Sequence, residues 1–281
     1  MSLPPLLDAE IAELIRAALA EDIGSGDITT EAAVPPDRTA LARIKAKAPG
    51  VIAGIMVAEA VFMAVDLSLD FEADCTDGAR VAPGDHVAVI GGSARSLMAA
   101  ERTALNFLQH LSGIATTTAE AVRMVHGTNV KLLDTRKTTP GLRRMEKYAV
   151  SVGGGQNHRM GLYDRYLLKE NHVALAGGVG AAVAAARSHG ASPNVEVEVR
   201  NRDELDQALE AGADRVLLDN FSPDDAAEAV RHVAGRAEVE VSGGVNLDNL
   251  RAYASAHPDY ISLGWLTHSA PALDLSMTLV V

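Results

Sequence analysis

Residues 195–247, VEVEVRNRDELDQALEAGADRVLLDNFSPDDAAEAVRHVAGRAEVEVSGGVNL, decide the fold. Three short apolar stretches (Val195–Val199, Arg215–Asp219 and Val239–Val241) recur at a near-constant interval. Amphipathic stretches at Arg202–Ala211 and Pro223–Val233 separate them, and Leu247–Ala256 followed by Tyr260–Leu263 continues the pattern. Apolar strands alternating with amphipathic helices predict a βα array with buried parallel strands. Upstream, Val130–Asp134 and Tyr166–Lys169 read as two more strands of the same kind. The expected class is α/β, an open α/β barrel of six or seven parallel strands, short of the eight that close a full barrel. An open doubly wound sheet is the competing architecture.

Polar residues gather at one end of these strands. Asp134, Thr135, Arg136 and Lys137 close the first, Lys169 the second, and Glu198 sits in the third; Asp219 closes the fourth, Ser242-Gly243-Gly244 the fifth and Gly264 the sixth. In βα barrels that end carries the active site, because successive strands deliver side chains to one rim. Arg136, Lys137, His158, Arg159 and Lys169 are donors suited to carboxylate and phosphate oxygens. Glu198 and Asp219 are hard oxygen ligands suited to magnesium, or to a site beside positive charge developing on a sugar carbon. Salt bridging to the rim cations is the plainer reading of both. The Ser242–Gly244 turn, read as preceding a helix at Leu247, is a phosphate-cradle candidate, and Gly264 one strand later strengthens it.

The stretch 134–172 holds eight basic and four acidic residues, a +4 island in a chain of net charge −12. Positive charge kept locally against the global balance predicts a site for a small polyanion. The acidic whole, with a pI near 5.2, argues against nucleic-acid or anionic-membrane partners. No GxxxxGK[ST] or strand-linked GxGxxG motif is present, so nucleoside triphosphate and dinucleotide sites are unsupported. The nine histidines show no close pairing for zinc. The only cysteine, Cys75, fits a reducing compartment. With no run long enough to span a membrane and no basic, apolar leader in MSLPPLLDAE, a soluble cytoplasmic protein is expected.

The first part of the chain reads differently. Leu7, Ile11, Leu14, Ile15, Ala18 and Leu19 follow helical spacing, with Asp8 as cap and Gly24 and Gly26 as stops. Short extended stretches at Leu41–Lys47, Val51–Ala53 and Val87–Ile90 surround a helix at Met56–Val65, predicting a small α+β domain. A long helix over Ala94–Val125 follows, with Leu97, Leu105, Leu108, Leu111 and Ile114 on one face. Glu101 falls on that stripe with Arg102 beside it, either as an ion pair anchoring the helix or with Arg102 directed to a site.

These residues carry a family resemblance. DTRKTTPGLR (Asp134–Arg143), EKYAV (Glu146–Val150), GGGQNHRMGLYD (Gly153–Asp164) and LLKENH (Leu167–His172) closely resemble the quinolinate phosphoribosyltransferases, also called nicotinate-nucleotide pyrophosphorylases (carboxylating). The likeness extends to EDIGSGDITT (Glu21–Thr30), AERTALNFLQHLSGIAT (Ala100–Thr116), LLDNF (Leu217–Phe221), VSGGVNL (Val241–Leu247) and LGWLTHSAPALDLS (Leu263–Ser276). Departures are few: Val152 stands where a cysteine is frequent, Gln156 where a valine is, and Trp265 where a small residue is.

The resemblance implies phosphoribosyl transfer from phosphoribosyl pyrophosphate to quinolinate with decarboxylation, giving nicotinate mononucleotide, pyrophosphate and carbon dioxide, with Mg²⁺ required. It implies an N-terminal α+β domain over 1–112, completed by 270–281, and a barrel over 113–269. It also implies a homodimer in which Arg102 is donated across the interface to the quinolinate carboxylates. Arg136, His158, Arg159 and Lys169 would complete the anion pocket, with Thr135 and Lys137 beside them and Lys137 counted as catalytic. Glu198 and Asp219 would face the ribose and the metal-bound pyrophosphate, holding Mg²⁺ directly or through it. Ser242, Gly243, Gly244, Gly264 and the backbone of Leu263 and Trp265 would hold the 5′-phosphate. A related protein associated with molybdenum transport, and a phosphate- or nucleotide-binding barrel without turnover, are the alternatives. Pyrophosphate release with quinolinate separates all three.

Overall fold

The computed structural model describes residues 7–190 and 194–280. Residues 1–6, read above as lacking leader character, lie outside the described residues, as does Val281. The chain forms two units: residues 1–119, 139–154 and 269–281 in the first, 120–138 and 155–268 in the second. The first thus takes in 139–154, a stretch that the expected split after 112 assigns to the barrel.

The strands in chain order are β1 (Thr39–Ala46), β2 (Gly50–Val51), β3 (Asp70–Ala73), β4 (Arg80–Val81), β5 (His86–Ser93), β6 (Lys131–Leu133), β7 (Tyr166–Leu168), β8 (Val195–Val199), β9 (Arg215–Asp219), β10 (Glu238–Ser242), β11 (Tyr260–Ser262) and β12 (Leu275–Val280). In the first unit an antiparallel sheet runs β12-β1-β5-β3, with Leu41 opposite Val280 and Ala42 opposite Ile90. Its first helix, Ala9–Ile23, begins where the Asp8 carboxylate accepts from the N–H groups of Glu10 and Ile11 and ends at Gly24. Ile11, Ile15 and Leu19 are its buried face. The helix Ala94–Met124 buries Leu97, Leu105, Leu108, Leu111 and Ile114. Gly113 on that helix must lack a side chain, since a Cβ there would stand 2.1 Å from the Pro271 carbonyl oxygen. The strand β3 and a short helix, Ile28–Ala33, have no counterpart in the sequence reading.

In the second unit six parallel strands pair in the order β6-β11-β10-β9-β8-β7. Consecutive strands are neighbours from β7 to β11, and β6 joins the far side of β11. That single circuit is barrel order; a doubly wound sheet would reverse direction partway. β6 and β7 do not pair, so the barrel is open. An isolated parallel bridge between Leu133 and Gln156 extends the β6 edge, with Gln156 N–H donating to Leu132 O at 2.8 Å. Helices Arg202–Glu210 and Pro223–Val233 are capped by the side chains of Asn201 and Ser222 and bury Leu205, Ala208, Ala226, Ala229 and Val233.

The barrel interior differs from the expectation of continuously apolar strands. Val195, Val197, Val199, Val216, Leu218, Val239 and Val241 are buried, and so are Glu196, Arg215 and Glu240 between them. The VEVEV and EVEVS alternation is a period-two signal. Valines of one parity face the helices, and charged residues of the other face the inside. A lone buried charge would be costly; Arg215 and Glu240 pair with each other, whereas Glu196 faces His158 and Arg165 without completing a hydrogen bond. Arg215 meets Glu240 at 3.1 Å and Glu238 at 2.7 Å and lies 3.8 Å from the Tyr260 ring centroid.

Candidate active site

The carboxyl ends of the parallel strands surround a cavity of about 550 Å³. The segment after β6 brings Thr135, Arg136 and Lys137; the segment after the Gln156 bridge brings His158 and Arg159; β7 leads into Lys169. β8 contributes Glu198, β9 ends in Asp219 with Asn220 next, and β10 ends in Ser242 ahead of Gly243 and Gly244. Eleven sequence-predicted residues therefore line one cavity, at the rim where barrel chemistry is assembled.

The other four are placed elsewhere. Leu263 is buried and is not among the lining residues. Gly264 faces Lys137, where a Cβ would come within 3.0 Å of the lysine Cδ. The Trp265 indole N–H donates to the Val245 carbonyl at 2.8 Å, tying the loop after β11 to the loop after β10. Arg102 is exposed on the helix Ala94–Met124 of the first unit. Among the described residues no ion pair joins it to Glu101, so the anchoring-pair reading does not hold.

The positive island splits in space. Arg136, Lys137, Arg159 and Lys169 reach the cavity, whereas Arg144 turns to Asp8 and to Glu10, the latter at 3.1 Å, within the first unit. Sequence contiguity overstated the pocket's charge, yet what remains is concentrated. Burial, and then the charge of Arg136, push the Arg159 guanidinium below its usual range. Two cations forced together in a partly dry cleft attract an anion strongly.

The cavity also carries carboxylates, Glu198 and Asp219. Burial, then the charge of Glu198, raises the Asp219 carboxyl above the ordinary range. Lys169 Nζ stands 3.1 Å from Glu198 Oε2, so the expected salt bridge is present. Asn220, in the left-handed region at φ 58°, donates its amide to Asp219 Oδ2 at 2.8 Å. Gly243, at φ 91°, has to be glycine because a Cβ would lie 2.3 Å from Asn220 Oδ1. The turn Ser242–Gly244 thus approaches closely, but the following helix is Leu250–Ala254, not a helix from Leu247. Residues Asn246–Asn249 form a turn held by Asn246 Oδ1, so the cradle does not abut a helix N-terminus.

His158 takes a defined tautomer. The Arg159 backbone N–H donates to His158 Nδ1 at 2.7 Å, which leaves the ring proton on Nε2. Nε2 faces Glu196 Oε2 at 3.2 Å and Glu240 Oε1 at 3.5 Å, and the His158 backbone N–H donates to Asp134 Oδ1 at 2.8 Å. His158 therefore lines the cavity while its Nδ1 holds the Arg159 backbone in place. Asn220, Glu240 and Ser262 also line the cavity and were missed from sequence. The Glu/Val alternation was the available signal for Glu240.

Known proteins agree over nearly the whole chain. The family model for the N-terminal domain of quinolinate phosphoribosyl transferase matches residues 27–112, and the model for its C-terminal domain matches 114–278. A probable nicotinate-nucleotide pyrophosphorylase (carboxylating) of Bacillus subtilis is 40% identical over 95% of the chain and 93% of the relative. The nicotinate-nucleotide pyrophosphorylase (carboxylating) of Mycobacterium leprae is 43% identical over 95% and 96%. A solved nicotinate-nucleotide pyrophosphorylase from Francisella tularensis superposes with a TM-score of 0.96 at 40% identity, covering 100% of this chain and 99% of that one.

Proposed function

The chain belongs to the quinolinate phosphoribosyltransferase family, and from that premise we infer how its barrel rim performs the family's reaction. It is a decarboxylating pentosyltransferase of NAD biosynthesis, joining quinolinate to phosphoribosyl pyrophosphate and yielding nicotinate mononucleotide, pyrophosphate and carbon dioxide. One observation supports the division of labour best: a single cavity is lined both by cations (Arg136, Arg159, Lys169) and by carboxylates (Glu198, Asp219).

Arg136, Arg159 and Lys169 hold the two pyridine carboxylates. Planar guanidinium forks suit carboxylates, and the ammonium adds a movable point charge. Lys169 shifts part of its interaction from Glu198 to the diacid when the latter arrives. Ser242, Gly243 and Gly244, with the backbone of Leu263, Gly264 and Trp265, hold the 5′-phosphate. Thr135 and Lys137 lie between the two ends, Lys137 with its backbone N–H donating to Thr135 Oγ1 at 3.0 Å.

Departure of pyrophosphate leaves positive charge at the sugar carbon, and the carboxylates of Glu198 and Asp219 stabilise it. The pyridine nitrogen forms the new bond to that carbon. Its positive charge then accepts the electron pair of the breaking carbon–carboxylate bond as carbon dioxide leaves, and the ring carbon takes a proton. Lys137 offsets charge on the leaving pyrophosphate, and the remaining contribution of the protein is positioning.

The residues also fit a magnesium ion. Glu198 and Asp219 are hard oxygen donors on adjacent strands, and burial, with the repulsion of Glu198 added to it, raises the Asp219 carboxyl. Magnesium held there, directly or through pyrophosphate, would neutralise charge on the leaving group. A cytoplasmic homodimer is part of the reading, supported by the free thiol of Cys75 and by Arg102, which is exposed and unpaired among the described residues. No helix among the described residues is long and apolar enough to cross a membrane.

The test is a product assay. With phosphoribosyl pyrophosphate and Mg²⁺, quinolinate should release pyrophosphate and carbon dioxide in equal amounts, and nicotinate should not replace it. Pyrophosphate release that ignores quinolinate would overturn the proposal.

A further inference from the structure

The strand pairing beneath the phosphate end of the cavity stops short of it. β10 and β11 are in register at Glu240–Tyr260 and Val241–Ile261, and their ladder ends there. Ser242, Gly243 and Gly244, and one strand over Leu263, Gly264 and Trp265, therefore leave the sheet side by side without a shared ladder. Each stretch has its own fastening. In the first, the Asn220 backbone N–H donates to Ser242 O at 2.9 Å, and the Asn249 side-chain amide donates to Gly244 O at 3.0 Å. In the second, the short helix Trp265–His268 is seated by buried Leu266 and Thr267, and the Thr267 hydroxyl donates to Lys137 O at 2.7 Å.

The Trp265 indole crosses between them. Its Nε1–H donates to the carbonyl of Val245, a buried residue next to Gly244, at 2.8 Å. The bond is thus made beyond the end of the ladder, where the two loops would otherwise be free to part. A phosphate group is small, so donors from two loops meet it together only if the loops keep a fixed spacing. Loops that must be ordered when the ligand arrives subtract that ordering from its affinity. A bond already made across them removes the cost in advance. By reciprocity, a ligand that bridges the loops must strengthen the bond between them by the same factor.

We propose that Trp265 is a positioning residue whose indole clamps the loop after β11 to the loop after β10, so that a sugar 5′-phosphate meets one rigid cradle instead of two separate loops. The proposal rests on reading these loops as the 5′-phosphate site. The clamp serves that end of the cavity only. The cations assigned to the pyridine carboxylates, Arg136, Arg159 and Lys169, come from the segments after β6, the Gln156 bridge and β7. Affinity for phosphoribosyl pyrophosphate should therefore depend on the indole N–H, and affinity for quinolinate should not. Trp265 is also the only tryptophan of the chain, so its indole proton gives a single signal in nitrogen-15 NMR.

The experiment combines steady-state kinetics of the full chain with hydrogen exchange at the indole. Trp265→Phe keeps an aromatic ring but removes the donor. Its KM for phosphoribosyl pyrophosphate should rise roughly three- to tenfold, the weight of one hydrogen bond, with kcat and KM for quinolinate each within about twofold of wild type. In wild type, saturating ribose 5-phosphate should slow solvent exchange of the Trp265 indole proton by a similar factor, whereas quinolinate should leave it unchanged. An unchanged KM for phosphoribosyl pyrophosphate in Trp265→Phe, a rise shared equally by both substrates, or an exchange rate indifferent to bound ribose 5-phosphate overturns the proposal. If Trp265→Phe does not fold, the wild-type exchange decides it. Gly244→Ala separates this failure from that of the cradle reading. Its φ of 65° strains the turn, but apart from its chain neighbours no atom lies within 4 Å of the added Cβ, which stands at the cavity wall. It should raise KM for phosphoribosyl pyrophosphate. If it does so while Trp265→Phe does not, the cradle stands and the clamp falls; if it leaves that KM unchanged, the cradle reading falls and the clamp with it.

Discussion

Arg159→Ala is expected to lower kcat/KM for quinolinate by about two to three powers of ten, most of it in KM, because truncating one partner of a buried charge-assisted contact costs about 2–5 kcal/mol. The side chain is one of few cations in the cavity that are nearly buried, at 8% exposure. It folds against its own charge, since burial and Arg136 both disfavour the charged guanidinium. Removing it relieves that repulsion. Thermal unfolding of the variant should therefore occur at or above the wild-type midpoint while turnover collapses. The opposite signs separate a substrate-holding residue from a structural one. A variant that loses stability and activity together would point to the bland reading, an arginine that braces the rim.

The second large effect concerns Arg102. Arg102→Ala is expected to be nearly inactive, and so is Asp219→Asn, which keeps Arg102 but loses a carboxylate of the barrel rim. Mixed, unfolded and refolded together, the two inactive variants should regain activity. With the proposed homodimer, in which Arg102 is donated across the interface, half the dimers of a random mixture are hybrid, and each hybrid holds one site with an intact barrel and an intact donated arginine. Recovery should approach about a quarter of wild-type activity. If each subunit used its own Arg102, mixing would restore nothing. The expectation rests on the proposed homodimer, with which an Arg102 exposed on its helix and unpaired among the described residues is consistent.

Most of the barrel was legible in the chain because two independent periods agree. β8 and β9 fall at the residues that their apolar runs predicted, as does the helix Pro223–Val233, which Ser222 caps and Pro223 opens. β10 extends one residue beyond its apolar run on each side, since Glu238 and Ser242 continue the ladder to Arg215 and Asp219. The helix after the Gly243-Gly244 turn was placed too early, because Asn246 and Asn249 hold a turn that competes with the helix. β3 was missed because its four residues, Asp70–Ala73, are mostly exposed and carry no strong apolar pattern.

The site was legible where chemistry sits at strand ends and illegible where it depends on closure. Asp134 through Lys137, Lys169 and Asp219 announce themselves as polar ends of apolar runs. Glu196 and Glu240 look like the exposed half of an alternating strand. Only the pairing order, which curls the sheet so that this parity faces inward, turns them into a buried acid pair. Charge runs misled for a related reason. Arg143 and Arg144 follow Lys137 closely in sequence, but the helix Arg143–Val152 belongs to the first unit and Lys137 to the second. The His158 tautomer could not be read at all, since it is set by one backbone N–H from the next residue.

The central claim is that one cavity, lined by both cations and carboxylates, holds a pyridine diacid against an activated sugar. A crystal structure of the protein with quinolinate bound tests it most directly. Both carboxylates should lie within hydrogen-bond distance of Arg136, Arg159 and Lys169, with the ring nitrogen turned toward Glu198 and Asp219. Quinolinate seated elsewhere on the molecule, or in this cavity with its carboxylates on Ser242–Gly244 instead, would contradict the account.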